Sequence, residues 1–287
     1  MMKRILLTGV SGQVGWELQR TLQPLGSVIA LNHAGLDLSQ PDHIRAVLRE
    51  TRPTLIVNPA AYTAVDKAES EPALAHAINA TAPGILAEEA KQLGALLLHY
   101  STDYVFDGAK SSPYQEDDAT APLNVYGSSK LAGEQAIRGS GCRHLILRTS
   151  WVYGMRGRNF LRTMLQLAKD REELGIVADQ FGAPTWSRMI AETTALLLAR
   201  ENGQEGVYHF TAGGATTWHG FAEAIFTRAV ANGHLSKIPA LRRITSADFP
   251  TPAKRPANSR LDGNRLVDDF RLNLPDWQTQ LALCLAV

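Results

Sequence analysis

In the segment LNVYGSSKLAGE, residues 123–134, Tyr126 stands one helical turn ahead of Lys130. On a helix that spacing puts both side chains on one face. A free tyrosine has a pKa near 10 and trades protons poorly at neutral pH. A neighbouring lysine favours the phenolate and brings the group into the range of an acid–base catalyst. The same spacing also occurs on solvated helix faces, so the pair acquires meaning only from its surroundings. Two other segments supply them. YSTDYVFDG carries Thr102, whose hydroxyl can hydrogen-bond a carbonyl oxygen, and Asp103 and Tyr104, which can meet a polar substrate. ILLTGVSGQVGWEL carries Gly9, Gly12 and Gly15 in the spacing G-x-x-G-x-x-G, a variant of the dinucleotide fingerprint. Such glycines permit a tight turn and let backbone N–H groups approach a pyrophosphate at the positive end of the following helix.

The elements that must hold these groups alternate regularly. Apolar runs recur at RILLTG, SVIALN, TLIVNPAA, ALLLHYS and HLILRTS. Between them lie the helical segments QVGWELQRTLQPLG, SQPDHIRAVLRET, EPALAHAINATAPGILAEEAKQLG and VYGSSKLAGEQAIRG. Ser39 with Pro41 and Asp42 reads as a capped helix start, and Gly94 and Gly139 stand where helices should stop. Strand and helix in alternation predict an α/β fold, a doubly wound parallel sheet covered on both faces. Beyond residue 150 the rhythm changes. NFLRTMLQLAKD, SRMIAETTALLLAR and DWQTQLALCLA read as helices and GVYHFTAG as a strand, joined by longer loops rich in Gly, Pro and Arg. The reading is a dinucleotide-binding domain over 1–150, with elements near 187–213 returning to it. Residues 151–287 then form mainly a smaller substrate-binding lobe.

Cofactor choice is read at the end of the second strand, where an acidic residue would bind the ribose 2′-hydroxyl of NAD. VIALNHAG offers Asn32 and His33 instead, and a neutral amide accepts either a hydroxyl or, with cations nearby, a 2′-phosphate. NADPH is therefore expected to serve at least as well as NADH. Asp37 and Leu38 follow at a spacing that suits a carboxylate on the adenine amine and an apolar group against its face.

Bulk composition narrows the classes. Of the 287 residues, 45% are hydrophobic and 20% charged, with a formal net charge of +1. No general basic field for nucleic acid is present. No apolar run approaches the roughly 20 residues of a membrane span. Cys142 and Cys284 make neither a disulfide framework nor a metal spacing, which fits a reducing cytoplasm.

TGVSGQVG, STDYVFDG and YGSSK together resemble the extended short-chain dehydrogenase/reductases. More narrowly, AAYTAVDKAESEP, PLNVYGSSKLAGE, RTSWVYG, DQFGAPT, TTWHGFA and RPANSRL resemble the dTDP-4-dehydrorhamnose reductase family, from about residue 3 to 270 in order. That resemblance implies Thr102, Tyr126 and Lys130 as the catalytic set, acting on the keto group of a dTDP-sugar. It implies Gly12, Gln13 and Val14 at the pyrophosphate, Asp37 and Leu38 at the adenine, and Ala61, Tyr62, Thr63 and Tyr100 along the cofactor channel. Thr102, Asp103, Tyr126 and Trp151 would meet the sugar nucleotide. The family often has an acidic residue where Asn32 stands, so its cofactor preference does not transfer. A homodimer and magnesium are open by resemblance only; no carboxylate cluster specifies a metal site, and no metal ligand is named. Two rival readings remain: a related nucleotide-sugar epimerase or reductase, and a non-catalytic subunit resembling the regulatory subunit of methionine adenosyltransferase.

Other candidates carry bland and functional readings side by side. Trp151 is a core residue or a pocket wall. Arg156, Arg158 and Asn159 are solvated or hold a diphosphate. Lys254, Arg255 and Asn258 in AKRPANSRL suit phosphate recognition, and the resemblance gives Arg255 and Asn258 a substrate role. His99 reads as a satisfied core residue and His219 as packing or capping, while Asp66 and Glu69 read as structural.

Overall fold

The computed structural model describes residues 3–286; Met1, Met2 and Val287, at the ends of the expected domains, lie outside the described residues. Five strands come from the five apolar runs: β1 (Lys3–Leu7), β2 (Gly26–Ala30), β3 (Leu55–Asn58), β4 (Leu96–Thr102) and β5 (His144–Thr149). Short strands follow: β6 (Val152–Tyr153), β7 (Glu173–Val177), β8 (Phe181–Gly182), β9 (Thr185–Trp186), β10 (Gly206–His209), β11 (Thr216–Thr217) and β12 (Ala240–Ile244). The main sheet has the order β10-β5-β4-β3-β1-β2, and every pairing in it is parallel. Strand order turns between β1 and β3, the place where open α/β sheets bind ligands.

Helices α1 (Gln13–Thr21), α2 (Pro41–Thr51), α3 (Val65–Ala68), α4 (Pro72–His76), α5 (Ala82–Leu93) and α6 (Val125–Ser140) follow or separate the sheet strands. Later come α7 (Phe160–Asp170), α8 (Ser187–Arg200), α9 (Trp218–Ala231), α10 (Asn264–Phe270) and α11 (Trp277–Leu285). Alternate strand residues supply two cores, as a period of two on a sheet buried on both faces requires. Ile5, Leu7, Leu98 and Leu147 face one core, with Leu18 of α1 and Leu197 of α8. Leu6, Leu97 and Ile146 face the other, with Leu48 of α2 and Leu86 of α5. A third core, from Leu161 of α7, Phe221 of α9 and Leu281 of α11, belongs to the lobe beyond β5.

Two expected helix boundaries shift. Gln40, not Ser39, stands before α2, because the Ser39 hydroxyl is spent on Asp37 Oδ1 at 2.7 Å. Helix α6 runs past Gly139 and stops at Gly141, whose φ of 68° is the left-handed turn that ends a helix. Gly94 closes α5 in the same way, with φ 65°. Between α4 and α5 the chain makes one wider π turn over Ala77–Thr81. That turn brings the Asn79 amide to both backbone groups of Tyr62, at 2.8 and 3.1 Å. It thereby pins the loop after β3 beside the sheet's ligand edge.

Candidate active site

The loop after β1 is built for close approach. Gly9 has φ 59°, and a side chain there would meet the Ala60 backbone at 2.8 Å. A Cβ on Gly15 would lie 2.2 Å from the Gly9 carbonyl, so α1 packs tightly on the loop only with glycine at both places. No side chain caps the first N–H groups of α1, which stay available to an anion.

This loop floors a cleft of about 760 Å³ along the carboxyl edge of the sheet. Gly9, Gly12, Gln13 and Val14 line one end, and Asn32, Asp37 and Leu38 line the adjoining wall. Asn32 Oδ1 accepts from the Gly35 amide at 3.0 Å, which leaves its NH2 as a donor. Two hydrogen bonds from Ser39 hold Asp37 below the ordinary carboxylate range, so its remaining oxygen is a charged acceptor. Ala61, Thr63 and Tyr100 continue the wall. The Tyr100 phenol itself points into the core, 2.6 Å from the Thr194 hydroxyl.

At the middle of the cleft β4 and α6 meet. Asn124 caps α6 by accepting from the Gly127 amide at 2.8 Å, and Glu69 accepts from the Val125 amide at 2.8 Å. A Cβ on Gly127 would sit 2.2 Å from the Tyr104 carbonyl, so only glycine lets the helix start press against the end of β4. That contact brings Thr102, Asp103, Tyr104, Tyr126 and Lys130 into one cleft. Burial pushes the Tyr126 phenol up to about 12; the Thr102 hydroxyl opposes that shift and the Asp103 carboxylate adds to it. The Tyr126 phenol is thus held protonated, with the Thr102 hydroxyl favouring its ionised form, whereas Lys130, turned to the Tyr100 carbonyl, does not lower it as the helical spacing predicts. Burial lowers Lys130 to about 8, with Glu134 opposing. Its Nζ donates to the Tyr100 carbonyl at 2.6 Å, so the ammonium is fixed on the strand side of the cleft. Burial raises Asp103 to about 6, against the Ser259 and Thr102 hydroxyls.

Behind these groups lies a buried ion pair: Arg148 of β5 grips Glu134 of α6 with two hydrogen bonds, 2.7 and 3.0 Å. It ties the helix carrying Tyr126 and Lys130 to the sheet, a fixture that no motif in the sequence announces.

The far wall comes from the second lobe: Trp151, Gly157, Arg158 and Trp218. Of the three loop residues 156, 158 and 159, only Arg158 faces the cleft. Arg156 lies over the exposed Trp16 ring, 3.6 Å from its centroid. Asn159 caps α7 and donates to Gln13 Oε1 at 2.8 Å. Trp218 was not anticipated; TTWHGFA offers only an aromatic at a helix start, with no cue to its direction.

Four anticipated residues stand off the cleft lining. Gly15 serves packing. The Tyr62 phenol turns outward to Glu71 at 2.6 Å. Arg255 is paired with Asp66 at 2.8 Å, and Asn258 donates to the carbonyls of Lys110 and Ser112 at 2.6 and 2.9 Å. Both staple the 251–260 segment to the loops beside the site. Lys254 gives its carbonyl to Asn124, and His219 is buried in the second lobe's packing. Among the described residues no group of three or more His, Cys, Asp or Glu could hold a metal ion, so magnesium has no assigned ligands. No helix among them is long and apolar enough to cross a membrane.

The model of the RmlD substrate binding domain family matches residues 2–287. The chain is 51% identical to dTDP-4-dehydrorhamnose reductase of Burkholderia thailandensis over 98% of its length and 97% of the relative's. It is 49% identical to the Escherichia coli reductase over 96% of its length and 94% of that protein's. A crystal structure of dTDP-4-dehydrorhamnose reductase from Bacillus anthracis, in complex with NADP, superposes with a TM-score of 0.93 at 36% identity, covering 100% of this chain and 99% of that one. With a dinucleotide loop, a Thr–Tyr–Lys cleft and identity of this extent along nearly its whole length, the chain belongs to the RmlD family of dTDP-4-dehydrorhamnose reductases.

Proposed function

We propose that the protein reduces the C4 keto group of dTDP-4-dehydro-L-rhamnose with hydride from NADPH, giving dTDP-L-rhamnose. The observation that carries this reading is the convergence of Thr102, Tyr126 and Lys130 on the cleft that also holds the dinucleotide loop. The cofactor supplies a hydride at its nicotinamide. The chain's own groups do the rest. Gly12, Gln13 and Val14 bind the pyrophosphate through backbone N–H groups at the start of α1, and Asp37 with Leu38 holds the adenine. Thr102 polarises the keto oxygen, and Tyr126 gives that oxygen its proton as the carbonyl carbon becomes tetrahedral. Lys130 keeps a cation in the same cleft and binds the nicotinamide ribose. Asp103 and Trp151 orient the sugar.

The free NH2 of Asn32 favours NADPH, because a donor suits a 2′-phosphate while a carboxylate would repel it. NADH, whose ribose hydroxyl can also meet this amide, is a weaker second cofactor. Cys142 and Cys284 are free and buried, which suits a reducing cytoplasm. Mixing the protein with dTDP-4-dehydro-L-rhamnose and NADPH, while following nicotinamide absorbance, tests the assignment. Stoichiometric oxidation with formation of dTDP-L-rhamnose is expected. A protein that purifies with tightly held NAD and interconverts sugar epimers without net oxidation would be an epimerase instead.

A further inference from the structure

His99 sits in the middle of β4 with no exposed surface, and its partners are more specific than those of a core histidine. Lys130 Nζ lies 3.1 Å from its Nε2. On the opposite side of the ring, Nδ1 lies 3.0 Å from Asn58 Nδ2. Asn58 Oδ1 accepts from the hydroxyl of Thr8 at 2.6 Å, and Thr8 stands directly before Gly9 of the dinucleotide loop. Thr8, Asn58, His99 and Lys130 are all at most 2% exposed, so an unpartnered donor or acceptor between them would be costly.

Burial and the Lys130 charge both hold His99 well below its ordinary pKa, so the ring is neutral and one nitrogen alone carries hydrogen. A half-turn of the Asn58 amide exchanges its oxygen and nitrogen at the same two positions. With nitrogen toward His99, the ring proton sits on Nε2, and Lys130 could face it only as an uncharged amine. With oxygen toward His99, the proton sits on Nδ1 and a bare Nε2 accepts from an ammonium. We propose that the second arrangement holds, with the Asn58 amide turned over from the orientation described above, so that the Thr8 hydroxyl accepts from its NH2 and turns its own hydrogen to the cleft that Thr8 lines. His99 is then a positioning residue whose unprotonated Nε2 keeps Lys130 charged and aims it.

An ammonium has three N–H groups and no acceptor. The Tyr100 carbonyl takes one and His99 Nε2 takes another, which leaves the third directed at the cleft that Lys130 lines. Among the described residues no other group facing Lys130 does this. Glu134 on α6 acts on its charge but is clamped by Arg148 of β5. The Tyr100 phenol of β4 is turned away to Thr194 of α8, and Tyr126 faces the cleft. The chain also links the lysine to the dinucleotide loop through three buried side chains.

The kinetic consequence rests on the reductase reading above; the tautomer rests on geometry alone, and the experiment separates the two. Long-range proton–nitrogen NMR on the wild-type protein labelled with 15N-histidine reads the tautomer without any substitution. A protonated Nδ1 with a bare, hydrogen-bonded Nε2, unchanged from pH 6 to 8, is expected; a protonated Nε2 or an imidazolium overturns the proposal, whatever the protein reduces. In parallel, His99→Phe keeps a ring and removes the acceptor. Turnover should fall by about tenfold or more, with the alkaline limb of the kcat profile moved to lower pH, and His99→Gln should restore much of both. A His99→Phe protein that melts earlier but keeps that limb in place contradicts a positioning role. Should the variant fail to fold, the wild-type tautomer decides.

Discussion

The indole rings of Trp151 and Trp218 lie parallel, 3.5 Å between centroids and 4° apart in plane. They join the loop after β5 to the first residue of α9, and both line the cleft opposite Tyr126. Trp151 takes a φ of 47°, a conformation that a bulky residue adopts only when its surroundings hold it there. Gly182 makes room for it, since a Cβ at that position would meet the Trp151 ring at 2.4 Å. Trp218 Nε1 is anchored on Gln180 at 3.1 Å. The pair is therefore a rigid wall of the cleft, which the proposed function sets against the sugar nucleotide.

Removing the supporting half of that wall should act on substrate affinity. An aromatic pair contributes about 0.5–1.5 kcal/mol beyond its buried area. Trp218→Ala should accordingly raise KM for the sugar nucleotide by roughly 2- to 10-fold. The KM for NADPH should stay near its original value. Steady-state kinetics with each substrate varied in turn checks both halves of this expectation.

Tyr126→Phe removes the proton donor and leaves the dinucleotide loop intact. Turnover should drop by about 10²–10⁴-fold, while NADPH still binds, as read by quenching of protein fluorescence. Thr102→Val should lower kcat in the same direction and to a smaller degree, because the polarising hydroxyl is lost and the acid is kept.

Asp103 carries a stability cost that depends on pH. Its carboxyl titrates at about 6 in the fold and near 3.9 when unfolded. A raised pKa means that the folded protein prefers the protonated form. Stability is thus highest below the unfolded value, declines as pH rises through about 6, and is lower by about 3 kcal/mol above it. Asp103→Asn should raise the melting temperature by several degrees at pH 8 and leave it nearly unchanged at pH 4. Its turnover should be impaired at both pH values where the protein is active. Calorimetric melting at the two pH values is the check.

Cofactor choice should respond to a single side chain. Asn32→Asp places a carboxylate where the 2′-phosphate of NADPH is expected and where a ribose hydroxyl would be welcome. The ratio of kcat/KM for NADPH over NADH should fall by about tenfold or more, corresponding to roughly 1.4 kcal/mol of discrimination.

How much of this could be read before folding depends on whether direction follows from spacing. The sheet could be read because Ile5 to Leu7, Leu55 to Val57 and Ala95 to Leu98 are continuous apolar runs bounded by polar or turn residues, each followed by a helical pattern. The dinucleotide loop could be read because Gly9, Gly12 and Gly15 sit between a strand and a helix, where that spacing has one mechanical use. Tyr126 and Lys130 share a helix, so their common face follows from the period. Side chains on loops have no such period. Nothing in RPANSRL shows that Arg255 turns to Asp66 or that Asn258 turns to the Lys110 and Ser112 carbonyls. Tyr62 escapes the wall for a related reason, since the wide turn at Asn79 clamps its backbone and leaves its ring facing Glu71. The buried grip of Arg148 on Glu134 joins a strand to a helix whose residues are adjacent only in space.

In the proposed reaction hydride reaches C4 of the sugar while Tyr126 protonates the oxygen that this carbon bears. The most direct test runs the reaction with NADPH deuterated at the transferable position of its nicotinamide and maps the label in the product by NMR. One deuterium on C4 of dTDP-L-rhamnose and none at C3 or C5 is expected, with the rate collapsing in Tyr126→Phe. Deuterium at another carbon, or a wild-type rate in that variant, would contradict it.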